Sequence, residues 1–242
     1  MKEEYKRLAV ENLREIKSVF DKNDIIFWLD SGTLLGAVRD GKIIEWDGDV
    51  DLGIWCSDAT QIVPTFPEFR RRGFNVVLSR KRAAMSIIKL GCSINFNLYR
   101  KRGNYAWNQW TRTRKTTVEK ILNRGVNTLS TRTYAKQEGT FAQKIKHISS
   151  LLPLNLNKLV ANTAWLLLYN LGYIIPVVIP KHYFQKLSTI QFYGTQFNIP
   201  SDVEEYLEYR YGSNWRIPTR KWVYYKDDGA INPNWNVLHF KV

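Results

Sequence analysis

The run Asp47-Gly48-Asp49-Val50-Asp51-Leu52-Gly53-Ile54 alternates acidic residues with small or apolar ones. In an extended strand, residues two apart point to one face, so Asp47, Asp49 and Asp51 project together while Val50, Leu52 and Ile54 face a core. Three like charges along one strand face repel each other and weaken the fold. A divalent cation neutralises them. Same-face carboxylates sit roughly 6.5–7 Å apart at Cα, near enough for both to reach one ion or to bridge a pair. Oxygen ligands with positions left for substrate phosphates favour Mg²⁺ or Mn²⁺. The expected metal pair is Asp49 and Asp51, with Asp47 beside it; the competing reading is a solvated acidic strand edge.

The elements that must position this run lie just upstream. Ala9, Leu13, Ile16 and Phe20 form one stripe of a helix over residues 5–22. Ile25-Ile26-Phe27-Trp28-Leu29 reads as a short buried strand. Ser31-Gly32-Thr33 then opens a helical stretch from Leu34 to Arg39, with Ser31 or Thr33 able to cap it. Amides at a helix start bind phosphate, and a glycine allows close approach. A phosphate cradle at Gly32 and Thr33, about fifteen residues before the carboxylates, supplies the second half of a phosphoryl-transfer site. By itself Gly32 is better read as an ordinary turn glycine.

Downstream, strands are expected at 74–78, 85–90 and 92–99. In the last, Ile94, Phe96 and Leu98 share one face, and Ser93, Asn95, Asn97 and Tyr99 the other. Residues 100–147 are basic and polar with weak periodicity. Residues 151–180 are the most apolar part of the chain. A helix at 203–211 is marked by a Ser201/Glu204 capping box and a Gly212 stop.

The segment FWLDSGTLLGAVRDGKIIEWDGDVDLGI, residues 27–54, resembles the signature of the LicD family, which includes the fukutin-related proteins. The resemblance is carried by Trp28, Gly32, Thr33, Leu34, Leu35, Gly36, Arg39, Trp46, Asp47, Asp49 and Asp51. A second block, FNIPSDVEEYLEYRYGSNWRIP at 197–218, resembles the family's C-terminal pattern of a Y-L-x-x-x-Y-G helix followed by Trp and Pro. This resemblance implies an α+β, nucleotidyltransferase-like fold: a small mixed sheet flanked by helices, with a helical C-terminal part. It implies metal-dependent transfer of a phospho-alditol or phosphocholine-type group from a CDP-activated donor to a glycan hydroxyl, releasing CMP. Carried over, Asp49 and Asp51 hold Mg²⁺ or Mn²⁺, Gly32 and Thr33 contact the donor diphosphate, and Arg39 offsets phosphate charge. Asp47 supports the metal or orients the acceptor.

One departure stands out. Where the family often has a carboxylate on a following strand, this chain has CSINFNLY, with Asn95 or Asn97 at the expected place. An amide oxygen can ligate a cation but cannot take a proton from an acceptor hydroxyl. The base then comes from Asp47 or from elsewhere, and a polar strand face is the plain reading of both asparagines. Arg216 and Lys221 are further candidates for the diphosphate, with a solvated surface as rival. Tyr206, Tyr209, Tyr211 and Trp215 either line a glycan pocket or pack in a core. His147, His182 and His239 are isolated and read as surface or packing residues.

Lys and Arg number 36 against 22 Asp and Glu, a net charge of +14. Such a surface draws anions, but the basic residues, as in Arg70-Arg71-Arg72, Arg80-Lys81-Arg82 and Arg112–Lys115, form no single tract, which weighs against nucleic acid. Two cysteines, Cys56 and Cys92, are too few for a disulfide framework and read as free thiols. With no continuous apolar run at the N-terminus, the expected compartment is cytoplasmic. Residues 159–180 approach membrane-spanning length but are broken by Asn162, Asn170, Gly172 and Pro176. A buried core helix is expected there. The alternative is an interfacial patch that, with Lys144, Lys146 and Lys158, meets an anionic membrane, as a lipid-linked glycan acceptor requires. The expected organisation is a catalytic core over 1–100 with residues 101–242 packed on it. Two other functions share the residues: transfer of NMP from an NTP to a small molecule or RNA, and a catalytically inactive glycan-binding module.

Overall fold

The computed structural model describes residues 3–79, 84–112, 116–133 and 154–237. The calls on Arg80-Lys81-Arg82, Lys115, Lys144, Lys146, His147 and His239 lie outside them. A mixed sheet forms the centre, flanked by helices, as the resemblance implies. Its path runs β1 (Trp28–Leu29), β2 (Val50–Trp55), β5 (Cys92–Arg102), β4 (Ala84–Lys89), β3 (Asn75–Ser79), β7 (Thr131–Thr133). β2 and β5 are parallel, whereas β1 pairs β2, and β4 pairs both β5 and β3, antiparallel. Two strands from the second half of the chain join the far end of β5: β6 (Tyr105–Thr111) pairs it, and β8 (Ile174–Pro180) pairs β6. A hairpin of β9 (Ser188–Phe192) and β10 (Thr195–Ile199) forms a separate two-stranded sheet.

Periodicity explains most of this. Helix α1 (Glu3–Asp21) buries Ala9, Leu13, Ile16 and Phe20 against β5, the stripe expected from 3.6 residues per turn. Val50, Leu52 and Ile54 of β2 and Ile94, Phe96 and Leu98 of β5 all turn into the core. Gly53 is there because its strand partner Trp28 lies so close that a Cβ would stand 2.1 Å from the indole nitrogen.

Several local expectations are corrected. The acidic strand starts at Val50, so only Asp51 belongs to it; Asp47 and Asp49 sit on the turn leading in. Like charges oppose a continuous strand there, and Asp47 instead accepts a hydrogen bond from the Gly48 amide at 3.0 Å. The strand expected at 25–29 shrinks to its last two residues, because the Ile25 amide still donates to Phe20 at the end of α1. Helix α2 (Ser31–Arg39) begins without a side-chain cap: the Thr33 hydroxyl accepts from the Asp51 amide at 2.9 Å. After the short helices α3 (Ala59–Ile62) and α4 (Phe66–Arg71) come α5 (Thr117–Ser130) and α6 (Leu154–Asn170). At α7 (Val203–Tyr211) the capping box does not form, since Ser201 donates to the Tyr183 carbonyl at 3.3 Å and Asp202 takes a left-handed conformation. Gly212 does stop α7, at φ 79°. A last short helix, α8, spans Tyr224–Asp227.

The apolar stretch 159–180 is not one core helix. It divides into the end of α6 and the buried strand β8. Helix α6 packs on α5 through Ala164 and Leu168. Leu156, Leu159, Val160, Leu166, Leu167 and Leu171 are 40–60% exposed and form a ridge along it. Among the described residues no helix is long and apolar enough to cross a membrane.

Candidate active site

The turn from β1 into α2 is welded to β2. The Asp30 amide donates to the Asp51 carbonyl at 3.0 Å, and the first intrahelical bond runs from Leu34 to the Asp30 carbonyl at 3.0 Å. The amides of Ser31, Gly32 and Thr33 therefore precede the first intrahelical donor and present the positive end of α2. At Gly32 a Cβ would stand 2.1 Å from Asp47 Oδ2. A side chain here would displace the Asp47 carboxylate, which lies directly over this backbone.

Parallel register sets Asp51 beside Asn95 and Gly53 beside Asn97. The Asn95 amide nitrogen donates to Asp49 Oδ2 at 2.7 Å, while its oxygen accepts from Ser86 at 2.9 Å and Ser93 at 2.8 Å. Asn95 thus turns its donor toward the carboxylate and orients Asp49, rather than offering an oxygen to a cation. Asn97 donates to Asp30 at 2.9 Å.

Electrostatics separates the three aspartates from ordinary surface acids. Burial, then the charge of Asp49, pushes the Asp47 carboxyl up to about 6. Burial raises Asp49 as well. Asp51 is held well above the carboxylate range by burial and by Asp49, Asp30 and Asp47, with Arg210 pulling the other way. Acids this close resist ionising together unless a cation lies among them. Among the described residues no group of three or more His, Cys, Asp or Glu side chains is placed to hold a metal ion by itself.

A buried ionic network underlies the site. Asp30, fully buried, accepts from Asn97, from Tyr99 at 2.9 Å, from Tyr206 at 3.0 Å and from Arg210 at 3.4 Å. Arg210, equally buried, also holds Asp228 through Nε at 2.8 and 2.9 Å and donates to the Tyr206 hydroxyl at 2.7 Å. Sequence reasoning passed over Asp30, Arg210 and Asp228 as site residues. A signal existed for Arg210: it falls on the buried face of α7 with Tyr206 and Leu207, and a charge on a buried face requires partners.

All three aspartates, Gly32, Arg39 and Asn95 line one cavity of about 840 Å³. Thr33 is buried behind it, holding β2 through Asp51. Arg39 lines it but gives its guanidinium to Asp40, at 2.9 and 2.7 Å. Arg216 is not brought to the cavity; it pairs with Glu204 at 2.7 Å and stacks on Trp215. The lining is also rich in aromatic rings, with Trp110, Tyr211, Trp215, Trp222 and Tyr224. Of the tyrosines weighed for a glycan pocket, Tyr206 is core and Tyr209 donates to the Val178 carbonyl. His182 is exposed and packs on Tyr183.

Comparison with known proteins gives this geometry a context. An uncharacterized protein of Rickettsia prowazekii is 33% identical over 95 residues, 39% of this chain and 35% of the relative. Another, from Rickettsia typhi, is 38% identical over 74 residues, 30% of this chain and 24% of the relative. The ribitol 5-phosphate transferase FKRP of Homo sapiens is 48% identical over 52 residues, 22% of this chain and 10% of that protein. The chain thus spans about a third or less of the length of these relatives. The family model described as LicD/FKTN/FKRP, nucleotidyltransferase domain, matches residues 24–137, which contain the start of α2, the acidic turn and β5. Over those residues this chain is similar to the nucleotidyltransferase domain of the LicD/FKTN/FKRP family.

Proposed function

We propose that this protein is a metal-dependent phosphotransferase that moves a phospho-alditol or phosphocholine-type group from a CDP-linked donor to a glycan hydroxyl, releasing CMP. The observation that carries this reading is one cavity lined by the start of α2 and by three aspartates held above their usual range. Similarity to a protein named ribitol 5-phosphate transferase supports it.

Asp49 and Asp51 would hold Mg²⁺ or Mn²⁺, which stabilises charge on the transferring phosphoryl oxygens. The amides at Gly32 receive phosphate oxygens, and Asn95 fixes the rotamer of Asp49. The acceptor oxygen bonds to the donor phosphorus distal to cytidine as the bond to CMP breaks. Asp47, over Gly32, is the carboxylate placed to take the hydroxyl proton, a role neither asparagine of β5 can fill. The aromatic lining suits sugar faces. If the acceptor is lipid-linked, the apolar ridge of α6 and the net charge of +14 fit an anionic membrane surface.

NMP transfer from an NTP would use the same aspartates, and the matched domain's description favours keeping it as a second reading. Thermal unfolding with Mg²⁺ against CDP-ribitol, CDP-glycerol, CDP-choline, CTP and ATP separates the two, since a ligand of the native state raises the melting temperature. The phosphotransferase reading expects a metal-dependent shift with one CDP-linked donor, CMP release on turnover, and loss of both in Asp49→Ala. Shifts with NTPs alone select the second reading.

A further inference from the structure

Three arginines border the cavity, and two of them are committed to carboxylates. Arg39 grips Asp40, and Arg210 is buried between Asp30 and Asp228. Arg220 is different. It lies on the exposed, irregular stretch between α7 and α8, and its guanidinium stands 5.0 Å from the ring centre of Trp46. Among the described residues no carboxylate pairs with it. Trp46 immediately precedes the acidic run, is 41% exposed and lines the same cavity. A cation and an indole from opposite ends of the chain therefore meet on the wall of the pocket that holds the aspartates.

We propose that Arg220, braced on Trp46, is the phosphate-binding arginine of this site and takes the diphosphate of a metal-bound nucleoside diphosphate donor. The proposal rests on the phosphotransferase reading and adds to it a phosphate-binding arginine where the sequence offered Arg39, Arg216 and Lys221 as candidates. Its physics is simple. A diphosphate entering beside three aspartates is repelled unless cations flank it. The metal compensates on the aspartate side, and a guanidinium fork grips two phosphate oxygens at once from the other. Stacking on an indole leaves the in-plane N–H donors free and reduces the freedom lost on binding.

Calorimetry on the full chain in Mg²⁺, with CDP and inorganic pyrophosphate as probes, tests it. Arg220→Gln should weaken both probes by about tenfold or more, the scale of a charge-assisted contact. Arg220→Lys should recover part of that, because it restores the charge without the fork. Lys226→Gln, which removes an exposed positive charge on α8, should change neither. Melting temperatures verify that each variant is folded. Wild-type affinity for both probes in Arg220→Gln, or an equal loss in Lys226→Gln, overturns the assignment. Pyrophosphate binding that depends on Arg220, without CDP binding, leaves the assignment standing and removes the cytidine donor. Failure of the wild-type protein to bind either probe removes both.

Discussion

Arg210→Met removes the cation from the buried network and leaves the Asp30 and Asp228 carboxylates facing each other's surroundings without compensation. Methionine fills most of the volume, so the cost is electrostatic more than steric. Breaking a buried ion pair from one side costs about 3–5 kcal/mol. For a chain of this length each kcal/mol lowers the melting temperature by about 2–4 °C, so a fall of about 6–20 °C is expected. Asp30 retains donors from Asn97, Tyr99 and Tyr206 when Arg210 is gone, whereas Asp228 keeps the Ala230 amide. Arg210→Met/Asp228→Asn should therefore regain roughly half the loss, about 1–3 kcal/mol. Urea unfolding followed by circular dichroism measures both variants at constant slope. A single-variant loss below about 1 kcal/mol, or a double variant no steadier than the single, refutes the view that unpaired charge sets the cost. Because Asp30 bonds both β2 and α2 through its backbone, weaker Mg²⁺-dependent stabilisation should accompany the fall.

Three other outcomes follow from single contacts. Gly32→Ala puts a methyl group 2.1 Å from Asp47 Oδ2; the carboxylate can swing away, so stability should change by about 1–3 kcal/mol or less while turnover falls at least about tenfold. A turnover assay at wild-type rate would show that Asp47 need not sit there. Asn95→Asp converts the donor to Asp49 into a like charge, so the metal-free protein should melt lower and gain more from Mg²⁺ than wild type, checked by paired thermal melts with Mg²⁺ and with EDTA. Leu159→Glu with Leu167→Glu places charge on the exposed ridge of α6 and should abolish flotation with anionic vesicles without lowering the melting temperature; wild-type protein that never floats ends the membrane assignment.

How much could be read before the fold was known depends on the range of the interaction. The stripe of α1, the alternation in β2 and β5 and the Gly212 stop are local patterns, set by side-chain periodicity and backbone preference within a few residues. The acidic run next to a Gly-Thr helix start was legible for the same reason, and the structure gathers Gly32, Asp47, Asp49 and Asp51 on one cavity. Even so, exact alternation misplaced Asp47 and Asp49 on the strand, because charge repulsion and Gly48 favour a turn. Capping was misread at Thr33 and Ser201, where the distant partners Asp51 and Tyr183 outcompeted the nearest amides, and at Ser31, whose buried hydroxyl makes no hydrogen bond. Which arginine meets which carboxylate was not legible at all. Nothing local in the sequence separates Arg216 from Arg220, yet one closes on Glu204 and the other on the face of Trp46. Arg210 reaches Asp30 across 180 residues of chain. A residue type and its spacing determine what chemistry is available, but burial and partnership are properties of segments brought together from far apart, and only the tertiary structure decides them.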